Sequence, residues 1–278
     1  MKNHLLAFGF GYTAQALSRT LDPAVWDVTG TVRSDPDDAN SRIWPGADMS
    51  DVLAGATHVL SSVPAGKTDP VYDILCAHIG GMPNLKWVGL LSTTGVYGGN
   101  NGGWIDETSP HVPNGHRGAL RARQYDDWMA LHTDHGLPVH VFHLAGIYGP
   151  GRSAFDKLRA GTARRIVKQD QVFSRTHVDD IVQVLRASFE KPNPGQAYNL
   201  SDDMPAPPQD VIEEAANLLG VAVPPDIPFE TADLSPMARS FYADNKRVSN
   251  ARIKDELGIT LRYPDYKAGL RAILAAGG

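Results

Sequence analysis

The segment Gly9-Phe10-Gly11-Tyr12-Thr13-Ala14 constrains this chain more than any other, because it stands between an apolar run, His4–Phe8, and an amphipathic stretch that begins at Tyr12. In a G-x-G-x-x-A turn of this kind the first glycine permits the tight bend. The second lets the backbone approach a pyrophosphate, and the small last residue lets helix and strand pack closely. The helix start supplies backbone N–H groups and a positive dipole end to the phosphates. All six residues are therefore candidates for binding a dinucleotide.

The rest of the chain continues the pattern. Short β-type apolar runs recur at His4–Phe8, Trp26–Val32, His58–Val63, Lys86–Leu91 and Val139–Leu144, with helical periodicity at Tyr12–Leu21, Pro70–Ile79 and Ala119–His132. Alternation of this kind predicts an α/β fold, a Rossmann-type doubly wound parallel sheet. After Tyr148-Gly149-Pro150-Gly151 the rhythm loosens into helical stretches at Ala154–Ala160, Asp179–Glu190, Pro208–Leu219, Val248–Leu257 and Tyr266–Ala275, separated by Pro-rich joints. The expected organisation is a dinucleotide-binding domain over 1–150, with 171–200 returning to it. A smaller C-terminal substrate lobe is expected from 151–170 and 201–278.

Composition narrows the partners. With 42% hydrophobic and 21% charged residues the whole chain of 278 residues should fold, and a net charge of −5 argues against a nucleic-acid surface. Only Lys157–Lys168 is locally basic, read either as a solvated helix face or as a rim attracting an anionic substrate. Cys76 stands alone, so no intrachain disulfide forms and a cytoplasmic, reducing location is expected. No run is long enough for a membrane span, and no H-x-x-x-H or C-x-x-C pair points to a metal. A small-molecule substrate is the expected partner, and a homo-oligomer is left open.

Cofactor choice is read at the end of the second apolar run, Thr31-Val32-Arg33-Ser34. An NAD-selective chain places Asp or Glu there to bond the ribose 2′-hydroxyl, whereas Arg33 can pair with a 2′-phosphate. NADP is therefore expected, with NAD kept as the alternative because Asp35 is close by.

The chain also resembles the extended branch of the short-chain dehydrogenase/reductase superfamily, the NAD-dependent epimerase/dehydratase family. The resemblance is carried by the Gly9 turn, Asp48-Met49, Ser92-Thr93-Thr94-Gly95-Val96-Tyr97-Gly98 and Ile147-Tyr148-Gly149-Pro150-Gly151-Arg152. His177-Val178-Asp179-Asp180, Tyr198-Asn199-Leu200 and Val248-Ser249-Asn250 extend it almost end to end. It implies that Asp48 and Met49 lie beside the adenine, that Val63, Pro64 and Ala65 lie on the ribose and nicotinamide side, and that the C-terminal lobe holds the substrate.

The same resemblance implies a Ser or Thr, a Tyr, and a Lys four residues after the Tyr, which exchange a proton with the substrate while hydride moves at the nicotinamide. Thr93 falls at the hydroxyl position. The Tyr-x-x-x-Lys pair is absent: the matching stretch, His116-Arg117-Gly118-Ala119-Leu120-Arg121, carries arginines at both positions. Arginine stays protonated and cannot trade protons, but its planar fork suits an anion. The proton donor is therefore sought in His116, Tyr97 or Tyr148. Thr94, Arg117, Arg121, Tyr148, Arg152 and Arg175 are the candidate substrate contacts. The expected activity is an atypical NADP(H)-dependent oxidoreductase or epimerase acting on a polar or anionic small molecule, a nucleotide-linked sugar among the possibilities. The alternative is a dinucleotide-binding sensor or partner-binding protein without turnover. Asp179 or Asp180 is expected to cap the helix that follows, and His143 to be a core histidine.

Overall fold

The computed structural model describes residues 2–34 and 41–278; Asp35, which bears on cofactor choice, lies outside the described residues. Two compact units emerge. The first comprises Met1–Thr93, Ala119–His143 and Val182–Tyr198, and the second comprises Thr94–Gly118, Leu144–Ile181 and Asn199–Gly278.

The first unit is built on a seven-stranded sheet. In chain order its elements are β1 (Asn3–Phe8), α1 (Tyr12–Ser18), β2 (Trp26–Val32), β3 (Ser41–Ile43), α2 (Ser50–Gly55), β4 (His58–Ser61) and α3 (Pro70–Ala77). They continue with β5 (Trp87–Thr93), α4 (His116–His135), β6 (Val139–Leu144), α5 (Val178–Glu190) and β7 (Gln196–Leu200). The strand order is β7-β6-β5-β4-β1-β2-β3. β1 pairs in parallel with both β2 (Leu5 opposite Val28) and β4 (Leu5 opposite His58). The strand order reverses at β1, and in open α/β sheets a ligand crevice lies outside the carboxyl ends of the strands at such a point.

Strand periodicity decides which side chains enter the core. Leu6 and Phe8 of β1, Val59 of β4, Val88 and Leu90 of β5, and Val139 and Val141 of β6 join one buried cluster with Met49, Leu53, Val71, Leu75, Trp128 and Leu131. Trp128 and Leu131 come from α4, where Gln124, Trp128 and Leu131 form its buried stripe. Elsewhere in the unit the Trp87 indole stacks on His140 at 5.7 Å between ring centroids and meets Phe189 edge-on at 4.6 Å.

The second unit carries three parallel two-stranded pairs: Arg175–His177 with Gly146–Tyr148, Asp226–Pro228 with Arg165–Val167, and Arg247–Val248 with Trp104–Ile105. Helices Ala154–Arg159, Pro208–Leu219 and Tyr266–Ala275 close around Phe155, Ile212, Ala215, Leu270 and Ile273. Gly269 is required in this core, since a Cβ there would stand 2.2 Å from the Tyr148 hydroxyl.

The division differs from the expected boundary near residue 150. Thr94–Gly118 belongs to the second unit, because Trp104–Ile105 pairs with Arg247–Val248 and the Asn100 and Gly102 N–H groups both donate to the Asn245 carbonyl. The second unit is accordingly about as long as the first rather than a small lobe. The same pairing moves the start of the expected helix Val248–Leu257 to Ala251. Among the described residues no helix is long and apolar enough to cross a membrane.

Candidate functional site

In the first unit the Gly9–Ala14 turn divides its glycines by task. Gly9 has φ +79°, and a Cβ on it would lie 2.8 Å from Ser62 Oγ and 3.2 Å from Val63 Cγ2, so only glycine lets the end of β1 bend hard against the end of β4. Ser62 Oγ donates to the Gly9 carbonyl at 2.5 Å, and the Gly9 N–H donates to Thr31 Oγ1 at 3.0 Å. Gly11 has ordinary extended backbone (φ −95°, ψ −161°), and a Cβ on it would meet nothing within 4 Å. Its emptiness faces outward, as Gly11 is exposed, and this is room that a pyrophosphate can take. Thr13 and Ala14 are buried in α1, while Phe10 and Tyr12 are half-buried. Phe10 packs on Gly30, where a Cβ would come 2.3 Å from its ring.

Flanking residues fall into place on both sides of this turn. Arg33 and Ser34 are exposed at the end of β2. Asp48 is exposed, and Ser50 bonds it through both its hydroxyl (2.6 Å) and its N–H (2.9 Å), which holds the carboxyl below its usual range. The Met49 side chain lies in the core, which leaves its backbone rather than its thioether for any ligand contact. Val63 and Ala65 are half-buried and Pro64 is exposed.

A polar network that sequence reasoning missed lies beside Val63. Asp69 Oδ1 caps α3 by accepting from the Val71 and Tyr72 N–H groups at 3.0 and 3.2 Å. Its Oδ2 accepts from Gln124 Nε2 at 2.5 Å and Trp128 Nε1 at 2.7 Å, and Gln124 Nε2 also donates to the Val63 carbonyl at 3.2 Å. The Asp-Pro cap of α3 was a readable signal; its long-range donors were not. A shallow pocket adjoins this network between the Ala65–Asp69 loop and Leu120, Arg123, Gln124 and Asp127 of α4. Arg121, on the same helix, donates from Nη2 to the Leu91 carbonyl near the end of β5 at 2.5 Å. Its Nη1 is buried and has no partner among the described residues. Burial lowers its pKa to about 10, so it remains a cation at neutral pH. Thr93 ends β5 and is half-buried.

The second unit holds the remaining candidates. Thr94 and Tyr97 are buried in a one-turn 3₁₀ helix, and the Tyr97 hydroxyl donates to Asn199 Oδ1 at 2.9 Å. The Tyr148 hydroxyl points at the Asp265 carbonyl at 3.4 Å, and burial, reinforced by the charges of Asp202 and Asp180, pushes the phenol far above its usual range. Both tyrosines, candidates for the proton donor, are buried with internal partners for their hydroxyls. His116 is exposed at the start of α4. Arg117, also exposed, directs Nη1 at Met237 Sδ, 2.9 Å away. The thioether of Met237 thus meets the Arg117 guanidinium, and the Leu91 carbonyl meets that of Arg121.

Arg152 is exposed in a turn closed by backbone bonds with Gly149. Arg175, expected to clamp a substrate anion, instead donates from Nη1 to the Phe173 and Ala206 carbonyls at 2.8 and 3.0 Å. The nearby Asp202 is 2% exposed, and burial pushes its carboxyl up to about 8 despite the Arg175 charge. The cap of α5 also differs from expectation. His177 Nδ1 accepts from the Asp179 N–H at 3.2 Å, while Asp180 reaches the Arg262 and Tyr263 N–H groups at 2.7 and 3.2 Å. In the first unit His143 is fully buried and packs on Tyr125. Four of the five basic residues in Lys157–Lys168 are engaged internally: Arg165 pairs with Glu213 and Asp226, and Arg159, Arg164 and Lys168 donate to carbonyls of Gly278, Asp233 and Tyr242. Among the described residues no cluster of His, Cys, Asp or Glu could hold a metal ion.

No protein-family model matches the chain. Among solved structures, a functionally unknown conserved protein from Silicibacter pomeroyi DSS is 50% identical, with coverage of 99% of both chains and a TM-score of 0.92. Protein YeeZ of Escherichia coli (strain K12) is 25% identical over 285 residues, which covers 92% of this chain and 95% of that protein. The dTDP-glucose 4,6-dehydratase of Bacillus anthracis str. Ames, solved in complex with NAD, shares the fold at 17% identity, a TM-score of 0.77 and coverage of 98% and 96%. The chain thus belongs to one family with the Silicibacter pomeroyi protein, and its fold is that of the extended short-chain dehydrogenase/reductases, the NAD-dependent epimerases and dehydratases.

Proposed function

We propose that the chain binds a nicotinamide dinucleotide at the carboxyl edge of the first unit's sheet, prefers NADP(H), and acts as an oxidoreductase or epimerase on a polar or anionic small molecule. The observation that carries this reading is the open Gly11 turn. The backbone bends at Gly9 by contact with β4, yet in front of Gly11 the space is vacant where a Cβ would stand. Gly9–Ala14 would hold the pyrophosphate, Asp48 and Met49 the adenine side, and Val63, Pro64 and Ala65 the nicotinamide side. When bound, the dinucleotide supplies hydride exchange at its nicotinamide ring. The exposed Arg33 at the end of β2 would pair with a 2′-phosphate. A nucleotide-linked sugar is the substrate class favoured in this reading, with Arg117, Arg152 and Thr94 as its candidate contacts.

A second reading, dinucleotide binding without turnover, is favoured by one set of observations. The positions expected to carry Tyr and Lys hold Arg117 and Arg121, and the hydroxyls of Tyr97 and Tyr148 are buried against Asn199 and Asp265. His116 is the exposed group left among the three proton-donor candidates, and its substitution by Ala separates the readings.

The test is calorimetric titration with NADPH and NADH, followed by NADPH oxidation over a panel of nucleotide sugars, aldehydes and keto acids. A charge-assisted pair contributes roughly 1.5–3 kcal/mol. Arg33→Ala should therefore weaken NADPH about tenfold or more and leave NADH nearly unchanged. Tighter binding of NADH by the wild type refutes the NADP assignment. Binding without oxidation of any panel member favours the second reading.

A further inference from the structure

We propose that His78, acting through Ser50, positions Asp48 to recognise the base of the dinucleotide, so that the chain tells adenine from hypoxanthine better when this histidine is protonated; the inference rests on the dinucleotide reading of the first unit. Three side chains from two separate stretches meet on the adenine side proposed above. Met49 is buried with Leu6 and Phe8 of β1, which fixes the residue before it near that strand. Asp48 Oδ1 then accepts from Ser50 twice, from the hydroxyl at 2.6 Å and from the N–H at 2.9 Å. Both bonds fall on one oxygen, and the carboxyl is exposed, which keeps Oδ2 for a ligand. The exocyclic amine of adenine is a donor to such an oxygen. Hypoxanthine carries a carbonyl at that place, an acceptor that a carboxylate repels.

On the far side of Ser50 stands His78, half-buried at the C-terminal end of α3. Its Nδ1 lies 2.8 Å from the Ile74 carbonyl, which can only accept, so Nδ1 carries a proton whatever the state of the ring. Its Nε2 lies 3.1 Å from Ser50 Oγ. Ser50 has one hydroxyl proton for two claimants, Asp48 and His78. In the imidazolium both ring nitrogens are donors. Nε2–H then gives to Ser50 Oγ, the hydroxyl proton has Asp48 alone to go to, and the chain from His78 to Asp48 runs in one direction. In the neutral ring Nε2 is an acceptor and competes for that proton, which leaves the Ser50 N–H as the constant tether of Asp48. Asp48 stays a carboxylate in both states, since the bonds from Ser50 hold its carboxyl below the usual range. The other ionisable groups on the elements around the ring are Asp51 of α2 and Tyr72, Asp73 and Cys76 of α3. None of them bonds it among the described residues, and the turn Ile79–Gly81 carries no such group.

The experiment is calorimetric titration of the full chain with NADP⁺ and with nicotinamide hypoxanthine dinucleotide phosphate at about pH 6 and about pH 8, across the range in which an imidazole changes charge. The ratio of the two dissociation constants isolates the base, because the phosphates and their attraction to a charged His78 are common to both ligands. Wild type should favour adenine by roughly tenfold at the lower pH, the scale of a hydrogen bond to a charged group, and by about threefold at the higher. Ser50→Ala breaks the link and should show the smaller ratio at both pH values. His78→Gln offers Ser50 an N–H that does not titrate and should show the larger ratio at both. A wild-type ratio that does not change with pH overturns the inference even if neither variant folds. A folded Ser50→Ala that keeps the wild-type ratio and its pH dependence overturns it as well. Equal affinity of wild type for both ligands at both pH values puts Asp48 away from the base, which overturns the inference while the dinucleotide reading stands. Failure of wild type to bind either ligand sinks the dinucleotide reading itself, and this inference with it.

Discussion

Substituting Gly9 and Gly11 in turn separates folding from ligand binding within three residues. At Gly9 an alanine must adopt φ +79°, which costs an L-residue about 1–2 kcal/mol. Its Cβ would also stand 2.8 Å from Ser62 Oγ, pressing on the hydroxyl that donates to the Gly9 carbonyl, a bond contributing about 1 kcal/mol. The sum, about 2–3 kcal/mol, converts to a fall in melting temperature of roughly 3–5 °C for a chain of this size. At Gly11 the backbone is already in a region open to every residue, and no atom lies within 4 Å of the new Cβ. Gly11→Ala should melt like wild type or slightly higher, since alanine restricts the unfolded chain by about 0.4–1 kcal/mol. Gly11→Val should also fold, yet lose dinucleotide affinity by about tenfold or more, because its branches fill the space a pyrophosphate needs. Thermal melts paired with NADPH titrations read both effects. Wild-type affinity in a folded Gly11→Val would refute the cradle, and a wild-type melt for Gly9→Ala would refute the strain argument.

Two further outcomes concern pH. Burial lowers the pKa of His58 and His140, both in the first unit, to about 4, well below the 6.5 of an unfolded histidine. The unfolded chain therefore takes up protons first. The stability these histidines allow is complete above about pH 6.5 and is lost as pH falls toward 4. Acid titration followed by the fluorescence of Trp87, which stacks on His140, should show this loss, and a flat profile across that window would contradict the burial argument. Asp202, in the second unit, has the opposite sign. Its carboxyl is pushed from 3.8 up to about 8, so it favours the fold at low pH and destabilises it progressively as pH rises through that range. Asp202→Asn should remove this decline and melt higher than wild type at pH 8 but not at pH 4. A lower melt at both pH values would show that Arg175 stabilises the ionised form after all.

What could be read from the sequence follows how local each physical cause is. The turn at Gly9 was legible because a bend, an open backbone and a small residue against a helix are each decided within a few positions. Strands Trp26–Val32 and Val139–Leu144 match the expected runs residue for residue, since the side-chain period of a strand is written in the strand itself. Asp180 shows where that logic ends. Its place before an apolar helix predicted a cap, but its carboxylate bonds N–H groups more than eighty positions later, and His177 caps instead. Asp69 shows the same in reverse, because its local cap was readable whereas Gln124 and Trp128, brought in by α4, were not. Tyr97 and Tyr148 were chosen for a chemistry that needs an accessible phenol, and accessibility is a property of the packed core rather than of residue type.

Charge poses the hardest case, because a cation in the sequence does not say whether an anion, a ligand or the chain's own carbonyl will answer it. The run Lys157–Lys168 was open to reading as a rim for an anionic substrate. Folding answers it from within, with Glu213 and Asp226 on Arg165 and backbone carbonyls on Arg159, Arg164 and Lys168. Arg175 is answered in the same way by two carbonyls. By that standard Arg121 is only half answered. One of its nitrogens has the Leu91 carbonyl, the other has no partner among the described residues, and no carboxylate closes on it. A buried donor left in this state costs about 1–3 kcal/mol, an expense that packing alone gives no reason to retain. Arg121→Met, which keeps much of the stem and removes the charge, should therefore stabilise the free protein. Thermal melts of that one variant check this, and a melt clearly below that of the wild type would refute the burial argument.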